Sequence, residues 1–405
     1  MTVTFEDIKQ AKILVDDSSL VRTPFMFSRR LSSQTGANIY IKYENLQRTN
    51  SFKSRGAFVK LVSLTQEERD AGIIALSAGN HAQAVAYHSE RMGIKATIVM
   101  PTTTPFIKVE QSEAYGARVV LRGETLVECE VATNELMEKE RLTLVHPFDD
   151  DKVIAGQGTI AIEMLEDVPN LDTIVVPVGG GGLIAGIAVA AKAMKPDIEI
   201  IGVEPGIYPT MRNALNGIIV DCHGHTLAEG IAVKNVVKRT VDIVREHVSS
   251  IIVVEEDEIE QAVNQLIINL KNVAEGAGAV GLAAVMQQKQ RFKDKNVGIV
   301  ISGGNIDSRI LASILFRELE RSNRIINLRV EVFDKPGVLA EISTLTGDMG
   351  ANILDVSHKR SFLDVPAKGA LLDLTLETRD AQHASEIITA IKLAGYKVTN
   401  LEMKA

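Results

Sequence analysis

The chain has 405 residues, 45% of them hydrophobic and 24% charged, and its 44 Lys and Arg stand against 52 Asp and Glu for a net charge of −8. That is a globular composition, long enough for two or three domains, and it excludes a disordered or fibrous chain. The acidic balance, with no basic stripe, argues against a nucleic-acid partner, and the lack of any apolar run near ~18 residues argues against a membrane span.

The start, Met1-Thr2-Val3-Thr4-Phe5-Glu6-Asp7, has no basic segment leading into an apolar one. No secretory signal is therefore expected, and the expected location is cytoplasmic. Cys129 and Cys222 are the only cysteines, too few for a disulfide framework and too far apart for a metal knuckle, so both read as packed thiols. From about residue 37 to residue 320, short apolar runs alternate with longer helical patterns. Residues 39–41, 73–76, 96–100, 118–121, 173–178, 198–203 and 297–301 read as buried strands, and 83–91, 125–140, 183–192 and 256–271 as helices. The alternation predicts an α/β unit with parallel sheets covered on both faces, where ligands sit beyond the carboxyl ends of the strands.

The first motif is Asn50-Ser51-Phe52-Lys53-Ser54-Arg55-Gly56-Ala57, where an extended segment passes into a helix. Lys53, between an aromatic residue and small polar ones, is placed to hold its amine still for Schiff-base chemistry with an aldehyde cofactor. Taken alone, such a lysine is more often a solvated surface residue. Ser77-Ala78-Gly79-Asn80-His81 follows the 73–76 strand and leads into a helix. Its hydroxyl, backbone amides and carboxamide suit a substrate carboxylate at a helix N-terminus, and Asn80 also suits a phenolate oxygen. The same residues suit ordinary capping, and His81 by itself is no evidence for a catalytic base.

Gly179-Gly180-Gly181-Gly182 lies between a strand and a helix. Four residues without a β-carbon let backbone N–H groups converge on an anion at the positive end of that helix, a cradle for phosphate. The spacing is neither that of a dinucleotide fingerprint nor that of a nucleoside triphosphate loop, and a plain flexible loop is the bland alternative. Ser302-Gly303-Gly304-Asn305 follows the 297–301 strand and offers a hydroxyl suited to a pyridine nitrogen that stays unprotonated. A ring held that way is a weaker electron sink, which favours loss of a β-substituent over transamination. One lysine, two anion-binding turns and one neutral partner for a ring nitrogen together describe a pyridoxal 5'-phosphate enzyme of β-elimination.

Beyond residue 320 the pattern changes. The helix that includes 310–319 ends in Glu320-Arg321-Ser322-Asn323-Arg324, which reads as a hinge or linker. Residues 326–332 alternate as a half-exposed strand, and Asp334-Lys335-Pro336-Gly337 turns the chain into a helix with Val338, Ile342 and Leu345 on one face. Two alternating segments at 352–356 and 370–377, a helix with Ala384, Ile387, Ile388 and Ile391, and a short strand at 396–398 follow. The order β-α-β-β-α-β is that of a ferredoxin-like module.

The lysine heptad, the run from Ser77 through Ala82 and Gln83, the tetraglycine and the Ser302 turn resemble threonine dehydratase (threonine ammonia-lyase), in that family's order and spacing, over about residues 5–320. The family belongs to the tryptophan-synthase-β-like, fold-type II group of pyridoxal phosphate enzymes, and the C-terminal module resembles an ACT domain. The resemblance implies a two-subdomain catalytic domain at 1–322, its smaller subdomain at about 45–149 inserted in it, and a regulatory ACT domain at 323–405. It implies that Lys53 forms the Schiff base and removes the α-proton, that Phe52 packs near the ring and Asn80 holds its phenolic oxygen. Gly179, Gly180, Gly181 and Gly182 would bind the phosphate, Ser302 would meet the pyridine nitrogen, and Ser77, Ala78, Gly79, Asn80 and His81 would face the substrate. Threonine would then yield 2-oxobutanoate and ammonia, and serine pyruvate and ammonia.

Related serine racemases carry a second serine, acting on the opposite face of the substrate, where this chain has Ala78, so racemisation is disfavoured. Those relatives also bind a divalent cation through a Glu-Pro segment and an acid a few residues later. Here Glu204-Pro205 is followed by Gly206-Ile207-Tyr208-Pro209-Thr210, without a carboxylate, so no metal is expected. In the ACT module the turn at Asp334, Pro336, Gly337 and Val338 would take an amino-acid or nucleotide effector; the alternative is a module that only builds the oligomer. The expected partners are small molecules and further copies in a homodimer or homotetramer. A serine dehydratase or racemase-like enzyme and a non-catalytic amino-acid sensor are the competing readings, and β-replacement enzymes and threonine synthase share the fold. Whether the chemistry serves isoleucine biosynthesis or threonine catabolism stays open.

Overall fold

The computed structural model describes residues 3–360 and 368–401. The chain forms two compact units, Met1–Asp307 and Ser308–Ala405. Among the described residues, no helix is long and apolar enough to cross a membrane.

The first unit is built on two sheets. In the larger, the order is Phe25–Phe27, Asn38–Tyr43, Asn296–Ile301, Thr173–Pro177, Glu199–Pro205 and Ser250–Val254. All neighbours pair in parallel except Phe25–Phe27, which runs antiparallel to Asn38–Tyr43. The smaller sheet has the order Arg118–Leu121, Ala96–Met100, Ile73–Leu76 and Thr143–Leu144, all parallel, and comes entirely from chain between two strands of the larger one. Parallel strands covered on both faces must be apolar on both sides, and Ile174, Val175 and Val176 are accordingly all inaccessible.

The helix Lys53–Val62 belongs to both cores. Its Val59 packs with the core of the larger sheet, and its Ala57 and Leu61 pack with that of the smaller. It lies against the helix Asp151–Asp167 with almost no side chain between: a β-carbon on Gly156 would sit 2.7 Å from the α-carbon of Gly56. Glycine at both positions is what permits this approach, and it sets the depth at which the lysine helix enters the molecule.

The second unit has the helix Ser308–Arg321, then strands Ile325–Phe333, Asn352–Lys359, Gly369–Glu377 and Lys397–Asn400, with helices Val338–Asp348 and Ala381–Leu393. The strands form one antiparallel sheet in which Gly369–Glu377 and Ile325–Phe333 are central, giving the expected ferredoxin-like β-α-β-β-α-β order. Leu328, Val330 and Val332 face a core with Val338, Ile342, Ile387 and Ile391, while Glu331 and Phe333 are exposed. The stretch Glu320-Arg321-Ser322-Asn323-Arg324 differs from the expected linker. The helix runs on through Arg321, the backbone N–H of Thr378 donates to Arg324 O at 2.8 Å, and Asn327 Nδ2 donates to Glu320 Oε1 at 2.8 Å. A polar run read as a hinge is here a helix end and turn, with Ser322 bonded back to Glu318 O of its own helix and Glu320 and Arg324 O bonded to Asn327 and Thr378.

Candidate active site

Lys53 is the first residue of its helix, and the turn before it is tied to the Ser302 turn. Asn50 takes a left-handed φ of 55°, Ser51 forms an isolated antiparallel bridge with Gly303, and Phe52 N–H donates to Ser302 O at 3.0 Å. Two of the sequence motifs, some 250 positions apart, are thereby stitched backbone to backbone. Lys53 Nζ donates to Pro147 O at 2.9 Å and stands 5.1 Å from the centre of the Phe52 ring. Burial pushes its amine down to about 8, with a smaller opposing pull from Glu275.

Two residues on, Arg55 anchors this helix start in a fully buried set of charges. Its guanidinium donates to Glu44 at 2.8 Å through both Nε and Nη2, and to Glu163 at 2.7 Å and 2.8 Å through Nη1 and Nη2. Lys42 Nζ completes the set at 2.6 Å from Glu163 Oε2. Two cations and two anions cancel, and burial alone would be costly for any one of them. The two cations hold the Glu163 carboxyl down to about 2 in spite of its desolvation.

The helix Asn80–Met92 starts three residues before the apolar pattern indicated, so Asn80 and His81 stand in its first turn. No side chain caps it; Ser77 Oγ instead accepts from Gly79 N–H at 3.2 Å. Open helical N–H groups beside a hydroxyl are what binding an anion requires. His81 Nε2 lies 2.7 Å from Val145 O and must donate, which leaves Nδ1 as a buried acceptor without a partner among the described residues. Burial, followed by the charge of Lys53, pushes His81 down to about 3.

The tetraglycine precedes the helix Gly182–Met194, which also lacks a side-chain cap, and Gly181 takes a φ of 89°. Here the reason for glycine is stricter than room for an anion. A β-carbon on Gly180 would lie 2.3 Å from the Phe148 ring, and one on Gly181 2.6 Å from Met211. Phe148 follows the residue that holds Lys53 Nζ, so the glycine turn and the lysine amine meet the same loop. Ser302, only 2% exposed, follows the strand Asn296–Ile301, and its hydroxyl makes one long contact, 3.4 Å to Ala277 O. Its hydroxyl is largely uncommitted.

Sequence reasoning missed Glu275, which precedes the helix Gly276–Gln287 and accepts from Asn80 Nδ2 at 2.6 Å. Burial pushes its carboxyl up to about 7. The nearest signal was a lone acid ahead of Gly276-Ala277-Gly278, indistinguishable from an ordinary helix-start carboxylate. Pro147 and Phe148 carried no signal at all. Glu204 accepts from the backbone of Met211 at 2.7 Å and Arg212 at 2.9 Å, so its oxygens serve a helix start.

The residues marked for effectors lie in the second unit. Asp334, Pro336 and Gly337 are exposed, and Arg360 Nε donates to Asp334 Oδ1 at 3.0 Å. Gly337 has a φ of 89° and begins the helix Val338–Asp348 without a side-chain cap. Val338 is 1% exposed and its side chain belongs to the core, so of the four residues expected to take an effector it is the one turned inward.

A lysine amine with depressed basicity, an uncapped helix start behind a glycine turn and a hydroxyl with only one long bond beyond a strand end fit an aldehyde cofactor that carries a phosphate and a ring nitrogen. Fold and site together define the class, a fold-type II pyridoxal phosphate enzyme with an ACT domain. Residues 18–303 match the family described as "Pyridoxal-phosphate dependent enzyme", to which the chain belongs, and residues 320–394 match the ACT domain family. The chain is 45% identical to the L-threonine ammonia-lyase of Thermotoga maritima over 398 residues, 98% of this chain and 99% of that protein. It is 41% identical to the enzyme of the same name from Geobacter sulfurreducens, over 94% of this chain and 95% of that protein. Among solved structures it resembles the threonine deaminase isoform 2 of Solanum lycopersicum in its processed form, with a TM-score of 0.72 and 36% identity over 78% of this chain and 90% of that one. The serine racemase of Dictyostelium discoideum gives a TM-score of 0.71 and 38% identity over 76% of this chain and 100% of that one.

Proposed function

We propose that the chain is an L-threonine ammonia-lyase, releasing 2-oxobutanoate and ammonia from threonine and, as a secondary reaction, pyruvate and ammonia from serine. The observation that carries this reading is Lys53, a desolvated amine brought to about 8 and held at 2.9 Å by Pro147 O, with Ala78 rather than a proton carrier in the substrate turn. The bound pyridoxal phosphate supplies an electron sink for the pair left at the substrate's Cα. Lys53 Nζ would hold the cofactor and would take the α-proton, because an amine near 8 is neutral often enough at physiological pH to act as a base. Ser77, Gly79 and the first amides of the helix Asn80–Met92 bind the substrate carboxylate. Gly179, Gly180, Gly181 and Gly182 with the helix behind them bind the cofactor phosphate, and Phe52, Asn80 and Ser302 fix the ring. With an alanine methyl at position 78, that position offers no group to return a proton from the opposite face.

The same reading assigns catalysis to residues 1–322, with the smaller subdomain at about 45–149, and regulation to 323–405. There the open helix start at Gly337 and the Asp334 side chain would receive a small amino-acid or nucleotide effector. A cytoplasmic homodimer or homotetramer is the expected form. The test is 2-oxo acid release from threonine and from serine by the cofactor-loaded protein. Threonine turnover is expected, and Lys53→Ala should reduce it to background. Wild-type protein that holds the cofactor yet releases no 2-oxo acid from either amino acid would sink the proposal.

A further inference from the structure

We infer that Glu275 is a positioning residue for the cofactor's ring oxygen, acting through Asn80, whose amide it locks in one orientation together with Asn305. The inference rests on the function proposed above and deepens its account of Asn80. It begins at a group with no choice of role. Thr49 O can only accept, so the Asn305 atom 3.1 Å away is Nδ2. That same Nδ2 lies 2.7 Å from an oxygen of Asn80, which must be Oδ1. The other end of the Asn80 amide, Nδ2, is therefore what reaches Glu275 Oε1 at 2.6 Å. With both ends of a planar amide bound, its plane is fixed. One of the two Nδ2 hydrogens is used by Glu275, and the second, without a partner among the described residues, points in a single direction.

Glu275 is itself held. Its N–H donates to Gly303 O at 3.1 Å, and a β-carbon on residue 303 would fall 2.2 Å from Oε1 and 3.0 Å from Asn80 Nδ2. The Ser302-Gly303-Gly304-Asn305 turn thus does three things at once: it presents a hydroxyl, leaves a hole for the Glu275 carboxyl and orients Asn80 through Asn305. The charged groups facing the carboxyl are Lys53 from its own helix, Lys108 from the helix Phe106–Glu113 and Glu229 from the turn Glu229–Ile231. Because burial sets the carboxyl near 7, its charge changes within the working range of the enzyme. An ionised Glu275 draws on the Asn80 amide and adds negative charge beside the ring oxygen. A charge change there would reach the bound cofactor through the Asn80 amide, and the cofactor's visible absorbance would report it.

The experiment is a visible-absorbance titration of the pyridoxal-phosphate-loaded protein from about pH 5.5 to about 9, a range that brackets the Glu275 carboxyl, with cofactor retention after dialysis as a separate readout. Wild type should show a step with its midpoint near 7. Glu275→Gln, which preserves the bond to Asn80, should keep the cofactor and lose the step. Lys108→Gln should raise the midpoint and Glu229→Gln should lower it, because the first removes a cation and the second an anion facing the same carboxyl. These two variants keep the inference testable if Glu275→Gln does not fold. The inference is overturned by a wild-type band that does not titrate in this range, by an unchanged step in Glu275→Gln, or by a midpoint that neither surface variant moves. Wild-type protein with no cofactor band at all would count against the proposed function instead.

Discussion

Lys53 stands where four buried charges fix the start of its helix. Removing one member leaves the others uncompensated, so Glu163→Gln is expected to cost about 3–5 kcal/mol, read as a lower urea midpoint. A midpoint equal to wild type would mean that the set of Lys42, Glu44, Arg55 and Glu163 does not anchor the helix. On the substrate side, Ala78→Ser supplies the missing proton carrier. The variant should form D-serine from L-serine, measured by chiral chromatography, while still releasing pyruvate; no D-serine above the wild-type background would contradict the one-faced account. The motifs around Asn80, the tetraglycine and Ser302 stand out because each follows a buried apolar strand with small and polar residues, and the Lys53 heptad stands out by its aromatic and small polar neighbours; their roles belong to the function proposed above. Glu275 does not stand out, because a single acid at a helix start has a routine explanation in the helix dipole. Asn305 is visible in the sequence as the last residue of its motif, but its role depends on Thr49, which is adjacent only in space.

At the scale of elements, legibility followed apolar continuity. The strands Thr173–Pro177 and Asn296–Ile301 could be read because burial on both faces leaves an unbroken run of Ile and Val. The helices Asp151–Asp167 and Gly276–Gln287 escaped, since both are buried nearly all round and rich in Gly and Ala, which erases the one-sided stripe that marks a surface helix. The strand Phe25–Phe27, with three residues, is too short for any period to register. The tetraglycine was read correctly as a turn between strand and helix, but its tight fit against Phe148 and Met211 is a tertiary fact. Gly180→Ala should therefore push the Phe148 loop away from Lys53 and lower cofactor retention on dialysis by roughly tenfold, the ~1.4 kcal/mol scale of one moderate clash. Undiminished retention would mean that the loop adapts.

At the scale of the molecule, the buried titratable groups predict a distinctive stability profile for the cofactor-free protein. His81 and His88 fall to about 3 and about 4 from an ordinary 6.5, so their stabilisation is present above 6.5 and is lost as the pH falls through those lowered values. Glu204 and Glu275 rise to about 7 from 4.5, so their stabilisation is complete below 4.5 and is lost as the pH rises through 7. The two trends oppose each other between about 4.5 and 6.5. Below 4.5 the histidines and the lowered carboxyls, Glu163 and Asp373 at about 2 among them, titrate differentially, all in the destabilising direction on acidification. The urea midpoint should be nearly flat from 4.5 to 6.5 and fall steeply below; an equally steep fall across both ranges would contradict the assignments. The ACT module makes its own prediction. Deleting 323–405 should leave threonine turnover in place and abolish any response to isoleucine, valine or a nucleotide, whereas an unchanged response would move regulation into the first unit.

The central claim is that one amine carries the cofactor, and peptide mapping after borohydride reduction of the loaded protein tests it most directly. The account predicts the added phosphopyridoxyl mass on the peptide containing Lys53 and its absence from the same peptide of Lys53→Ala. Label on another lysine in the wild-type protein, with Lys53 unmodified, would contradict it.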